Sequence, residues 1–259
     1  MALKGKTYSE IPEVVTAENS DTLAVYKSGV GLKTIKKANL LKDTYTKAEA
    51  DNRFAEKLTR DITVYVATTG NDSTGDGSEL KPYKTINYAL SRIPKNLNGF
   101  TATVNVAEGT YKEDVRISDT IGNIHIFATN VSVNTIYINN CSYVYVKGIT
   151  VLKQLESSAP VIINNSNVSI DDCIAKTTSQ TNITIHRSLV DIKNTTTGNA
   201  TYANIYGVWS LVSVEYSTFT GNSTNINSQS SIICIESTTI GQTRKVGGGQ
   251  IFEWKLSIY

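Results

Sequence analysis

The stretch SLVDIK at residues 188–193 returns as SLVSVE at residues 210–215. In both copies aliphatic side chains stand two apart, Val190 with Ile192 and Val212 with Val214, the alternation of a strand with one buried face. Working outward from this pair gives an anchor series Val106, Ile126, Val146, Ile170, Ile192, Val214 and Ile235, with spacings between 20 and 24 residues. Two residues before each anchor stand Val104, Ile124, Val144, Val168, Val190, Val212 and Ile233, all aliphatic. A repeat of this length with one firm strand per unit predicts an all-β, single-stranded parallel β-helix of about seven coils, the aliphatic pairs pointing inward.

Two further columns fit that reading. Ser142, Ser166, Ser188, Ser210 and Ser231 each precede an anchor by four residues, which predicts stacked hydroxyls closing one corner. Lys147, Asp171, Lys193, Glu215 and Glu236 each follow an anchor, so they should point outward as a ladder of charges that favours one register. The segments KQLESSAP and KNTTTGNATYAN lengthen their coils and are expected to bulge as loops.

Composition limits function. The 259 residues carry a formal net charge of +2 with 19% charged residues, so bulk charge points to neither nucleic acid nor an anionic membrane. No run approaches membrane-spanning length and MALKGKTYSEI lacks the apolar core of a signal peptide, so a product made in the cytoplasm without membrane insertion is expected. Cys141, Cys173 and Cys234 are too few and too scattered for a disulfide framework or a zinc site, and read as small buried thiols.

Before the coils, VYVATTGNDSTGDGSELKPYKTINYALSRIP (64–94) reads as a strand, a Gly-Asp loop and a helix over Pro82–Ile93. Proline suits a first helical turn, and Tyr83, Ile86, Leu90 and Ile93 share one face. A solenoid has open ends, so this helix is expected to shield the first coil. Calcium binding by Asp72 and Asp76 would need a fuller acidic spacing with a terminal Glu. A phosphate cradle would need Gly-Lys-Ser/Thr. No metal and no cofactor is therefore expected.

The string VYVATTGNDSTGDGS–P–TINYAL, followed by ATVNVAEGTYKEDVRI, resembles the opening segment of right-handed parallel β-helices of the pectate-lyase-like superfamily, above all those of bacteriophage tail fibres and tailspikes. The resemblance covers about residues 62–117, with the repeats extending it toward Gly249. It implies architecture more than chemistry, because the superfamily holds lyases, hydrolases and inert binding rods. Upstream, DTLAVYKSGVGLKTIKK reads as a hairpin. It is similar to small modules by which fibres attach to other tail or baseplate proteins. YTKAEADNRFAEK resembles the short helical neck of trimeric phage fibres. The expected order is an attachment module (1–43), a helical neck (44–61), the β-helix with its N-terminal cap (62–249) and a final strand (250–259). In that strand Phe252, Trp254, Leu256 and Ile258 share one face, fit to cap the last coil or join a neighbouring chain.

For catalysis on polysaccharide the outward candidates are Asp171, Asp191 and Glu215. Asp191 and Glu215 are one coil plus two residues apart, about 8 Å between α-carbons, within the spread used by inverting hydrolases. For glycan binding the candidates are Tyr143, Tyr145, Tyr202, Tyr206, Trp209 and Tyr216, whose rings would stack on sugars while nearby Asn, Ser and Thr read hydroxyls. His125 and His186 form no nucleophilic constellation. The leading expectation is a non-enzymatic, homotrimeric tail protein of a virion that binds a bacterial surface polysaccharide. A depolymerase of the same fold and a structural tail adaptor are the alternatives.

Overall fold

A computed structural model describes residues 22–27, 31–36, 58–152, 159–176, 179–220, 226–236, 243–246 and 249–254. The chain divides into two units, Met1–Ala55 and Glu56–Tyr259. In the first, β1 (Thr22–Lys27) pairs antiparallel with β2 (Gly31–Lys36), the hairpin that the sequence predicts. Residues 44–57 of the expected neck, the KQLESS part of the first insertion and the tail past Trp254 lie outside the described residues, and residues 58–61 at the end of the neck are not helical.

The second unit is a parallel β-solenoid of about six turns. Each turn has three sides rather than one firm strand. Face A stacks β3 (Ile62–Val66), residues 101–106, 123–128 and 143–147, then Asn167–Asp171, Leu189–Lys193, Leu211–Glu215, Ile232–Glu236 and Gln250–Trp254. Face B stacks Gly109–Thr110, residues 131–133 and 149–151, Ile174–Lys176, Thr196–Gly198 and Thr218–Thr220. Face C stacks residues 114–118 and 135–139, Val161–Asn164, Thr181–His186, Ala203–Val208, Ile226–Gln229 and Thr243–Val246. The seventh expected coil, that of Ile235, has no face-B strand among the described residues.

Face A matches the anchor columns, and every anchor is buried. One register differs. The structure pairs Val104 with Ile126 and Val106 with Ala128, two residues off the spacing expected from sequence. A slip of two leaves each side chain on its original face, so aliphatic alternation cannot detect it. KNTTTGNATYAN is also corrected: it does not bulge, because Thr196–Gly198 forms a rung of face B, and Thr197, Ala200 and Ala203 are fully buried.

The corners explain the serines. Ser188 N–H donates to Ser210 Oγ (3.3 Å), Ser166 N–H to Ser188 Oγ (3.2 Å) and Ser210 N–H to Ser231 Oγ (3.0 Å), while each hydroxyl from 166 to 231 bonds the carbonyl two residues back. Ser142 does not belong to this column. It is exposed, and Cys141 takes the place, its N–H donating to Ser166 Oγ at 3.0 Å. Replacing Ser188 by Ala orphans the buried Ser166 N–H, and chemical denaturation should register a loss of about 1–3 kcal/mol.

The predicted helix shortens to α1 (Ile86–Ser91). Pro82 precedes it in extended chain, where Tyr83 N–H donates to the Tyr65 carbonyl and Tyr83 O accepts from Ala67 N–H. Thr85 is the N-cap, accepting from Tyr88 N–H at 3.2 Å. The Glu113 carboxylate takes the free N–H groups of Ile86 and Asn87, both at 2.9 Å. Ile86, Ala89 and Leu90 join the solenoid core. Asp72 serves this turn: Oδ1 accepts from Lys84 and Thr85 N–H, and Oδ2 from the Thr85 hydroxyl. Its carboxylate is a folding clamp.

In the last described strand Ile251 is buried opposite Ile233, and Phe252 points outward at 46% exposure. Gln250–Trp254 thus extends face A of its own solenoid.

Candidate functional site

The outward side of face A carries the charge ladder. Lys147 Nζ lies 3.5 Å from Asp171, and Lys193 Nζ lies 3.1 Å from Asp191 Oδ2 and 3.5 Å from Glu215 Oε2. Lys193 therefore bridges the two carboxylates offered for hydrolysis. Its own pKa is raised, first by the Asp191 hydrogen bond and then by the charges of Asp191 and Glu215. Ser213 donates to Glu215 Oε1 at 3.3 Å, while Asp191 Oδ1 is buried without a hydrogen-bond partner.

Asp171 is more committed. Tyr145 OH donates to Oδ2 and Asn194 Nδ2 to Oδ1, each at 2.8 Å. Burial would raise its pKa, but these two bonds and the Lys147 ammonium outweigh it and hold the carboxyl below the ordinary aspartate value. Burial and the same hydrogen bond push the Tyr145 phenol up to about 12. A depressed carboxyl contributes stability that is present above its unfolded pKa and lost as pH falls through the folded one. Tyr145→Phe should therefore move the Asp171 titration upward, read by carboxyl-carbon NMR, and start acid unfolding at a higher pH.

Tyr143 and Tyr145 belong to an aromatic cluster on face A. The His125 ring meets Tyr143, Tyr145 and Phe127 edge-on at 6.0, 5.7 and 6.0 Å between centroids, and Phe127 meets Tyr145 at 5.5 Å. Burial lowers the His125 pKa, with Asp61 opposing, so the imidazole is uncharged at neutral pH.

Face C holds a different arrangement. Two adjoining hollows of about 520 and 410 Å3 share Asn164 and His186. The first is lined by Asn139, Asn164, Asn165, His186, Arg187 and Trp209. The second adds Gln180, Thr184, Tyr202 and Tyr206. Its side chains come from register columns, Asn139–Asn164–His186–Val208 and Ile162–Thr184–Tyr206, so stacking alone lines them up. Tyr202 and Tyr206 lie 6.1 Å apart edge-on, and His186 meets Tyr206 at 6.4 Å. Asn227 Nδ2 donates to Tyr202 OH at 2.5 Å, and Tyr206 OH donates to Gln229 Oε1, which holds both rings from beneath. Burial and then the Arg187 charge lower the His186 pKa, leaving a neutral imidazole able to donate and accept. Among the described residues the side chains of Asn139, His186, Arg187 and Trp209 form no hydrogen bond, so their polar atoms are available.

The rim has a backbone signature. One corner column runs Asp119, Asn140, Asn165, Arg187, Trp209, Ser230, all at φ between 46° and 55°. Asn and Asp tolerate this left-handed region, whereas Arg and Trp do so at a cost. Trp209, 66% exposed, gains no compensating burial. Two large side chains are thus held out over the hollow at the expense of backbone strain.

Of the six aromatics singled out in the sequence, Tyr202, Tyr206 and Trp209 line these hollows. Tyr143 and Tyr145 lie on face A. Tyr216, at φ 47° and 60% exposed, sits at the corner between faces A and B, across the strand Leu211–Glu215 from Trp209. Asn139, Asn164 and Asn165 escaped notice in the sequence, where His186 and Arg187 were not assigned to a binding site. Their signal was there: Asn164 and His186 stand six residues before an anchor, Asn165 and Arg187 five. No protein-family model, no curated protein and no solved structure matches this chain.

Proposed function

We propose that this chain is a tail-fibre or tailspike-type protein of a phage or phage-tail-like particle, whose right-handed β-helix binds a bacterial surface glycan through face C. The observation that carries the reading is the strained Arg187–Trp209 corner above one hollow lined by neutral amides and an uncharged imidazole, with two braced tyrosines lining the hollow beside it. Local strain without a packing return points to a binding role. Rings plus uncommitted hydrogen-bonding groups suit sugars, whose faces are apolar and whose edges are hydroxyls. In this reading residues 1–43 attach to another tail protein and residues 44–61 form the neck of a homotrimer. Leu189, Leu211 and Ile232, stacked in register on face A and 49%, 47% and 44% exposed, supply an aliphatic stripe for packing between the three copies.

A glycan array probed with the full chain tests the reading: binding to bacterial capsule or wall polysaccharides supports it, and silence across them counts against it. Light scattering tests the assembly, since a stable monomer removes the trimer. A depolymerase reading is kept by one feature, the unpartnered buried Oδ1 of Asp191 beside Glu215. New reducing ends or unsaturated sugars from an incubated polysaccharide, abolished by Asp191→Asn, would establish it.

A further inference from the structure

We infer a second saccharide site, on face A at the N-terminal corner of the solenoid, separate from the hollows of face C. A hollow of about 560 Å3 lies there, larger than either hollow on face C. Along it runs an outward column in register over four successive rungs: Tyr65, Asn105, Phe127 and Lys147. The loop before α1 adds Glu79 and Pro82 as the facing wall.

The chemistry of that column is periodic. Ring, amide, ring and ammonium follow one another at the strand spacing of about 4.8 Å. A pyranose chain repeats at nearly the same interval. A di- or trisaccharide laid along the solenoid axis would set sugar faces on Tyr65 and Phe127, with the Asn105 amide reading the hydroxyls between them. The side chains of Tyr65, Asn105 and Glu79 form no hydrogen bond among the described residues, so these polar groups are uncommitted.

The site is also built in advance. Phe127, 38% exposed, is held edge-on by Tyr145 and His125. The wall is fixed because Asp72 binds Lys84 and Thr85, and because Gly70 and Gly75 pack so closely on the Pro82 carbonyl that a Cβ there would lie 2.6 or 2.7 Å from it. Rigid walls reduce the ordering cost of binding. Lys147 and Glu79, the two charged side chains of the lining, carry opposite signs, so the hollow carries no net demand for a charged ligand. Its ligand class is a short neutral saccharide.

The inference stands apart from the face C reading, and its test separates the two. Cellotriose, maltotriose and chitotriose are titrated into the isotope-labelled full chain, with backbone amide shifts as the readout. We expect at least one to give saturable shifts at Tyr65, Asn105, Phe127 and Thr129. Phe127→Leu, which keeps an apolar side chain but removes the ring, and Asn105→Ala should each weaken that binding by about tenfold, while Trp209→Ala leaves it intact. Unchanged spectra away from residue 127 show that Phe127→Leu is folded. No saturable shift at this corner with any of the three sugars, or shifts indifferent to both substitutions, overturns the proposal. Shifts confined to Asn164, His186 and Trp209 overturn it while supporting face C.

Discussion

Gly148→Ala should unfold the solenoid more readily by about 2–5 kcal/mol, combining left-handed strain with overpacking. Gly148 sits at φ +74°, where a Cβ would fall 2.0 Å from the Ala128 carbonyl oxygen on the preceding rung. The oxygen is backbone and the added carbon is bonded directly to backbone, both held in place by stacking, so no side chain can move aside. Gly99 is the matched control. It has φ +86° with nothing within 4 Å of the added carbon, so Gly99→Ala should cost only the strain, about 1–2 kcal/mol. Circular-dichroism melts at equal protein concentration would rank the two. Equal losses would show that the rungs yield at this corner and that their spacing is not rigid.

Trp209→Gly should separate stability from function. Glycine adopts φ near 53° without the penalty borne by Trp209, so the unfolding free energy should hold or rise, by up to about 1–2 kcal/mol of relieved strain less the added chain entropy. Glycan binding at face C should fall at least tenfold, since aromatic anchors that fill a site commonly carry 2 kcal/mol or more. Loss of binding together with loss of stability would mean that the indole supports the fold, and would remove the ground for reading its strain as functional.

How far the site was legible depended on the kind of neighbour involved. Lys147, Asp171, Lys193 and Glu215 were readable as a ladder because parallel stacking makes equal offsets from the anchors into spatial neighbours. Their consequence was not readable: only side-chain geometry shows Lys193 bridging Asp191 and Glu215. Trp209 and Tyr216 look like one cluster along the chain, yet the strand between them spans the whole of face A, and they end at opposite corners. Asn139 and Arg187 share no sequence neighbourhood and line the same hollow. Cys141 shows the same limit at a corner, since Cys and Ser can each occupy that column and only the Ser166 contact tells which residue does.

By itself the sequence determined the parallel stack, the inward and outward parity of face A and the charge order along it, because these follow from periodicity two within a strand and about 22 between rungs. The tertiary structure alone decided that each turn has three sides, that Val104 rather than Val106 meets Ile126, and that face C gathers amides, imidazole and rings into one place. The physical reason is that parity survives a two-residue slip, whereas the connections from face B to face C vary in length from turn to turn. Where the chain turns is set by left-handed residues and by hydroxyl bonds between rungs, and those take effect only once the rungs have stacked.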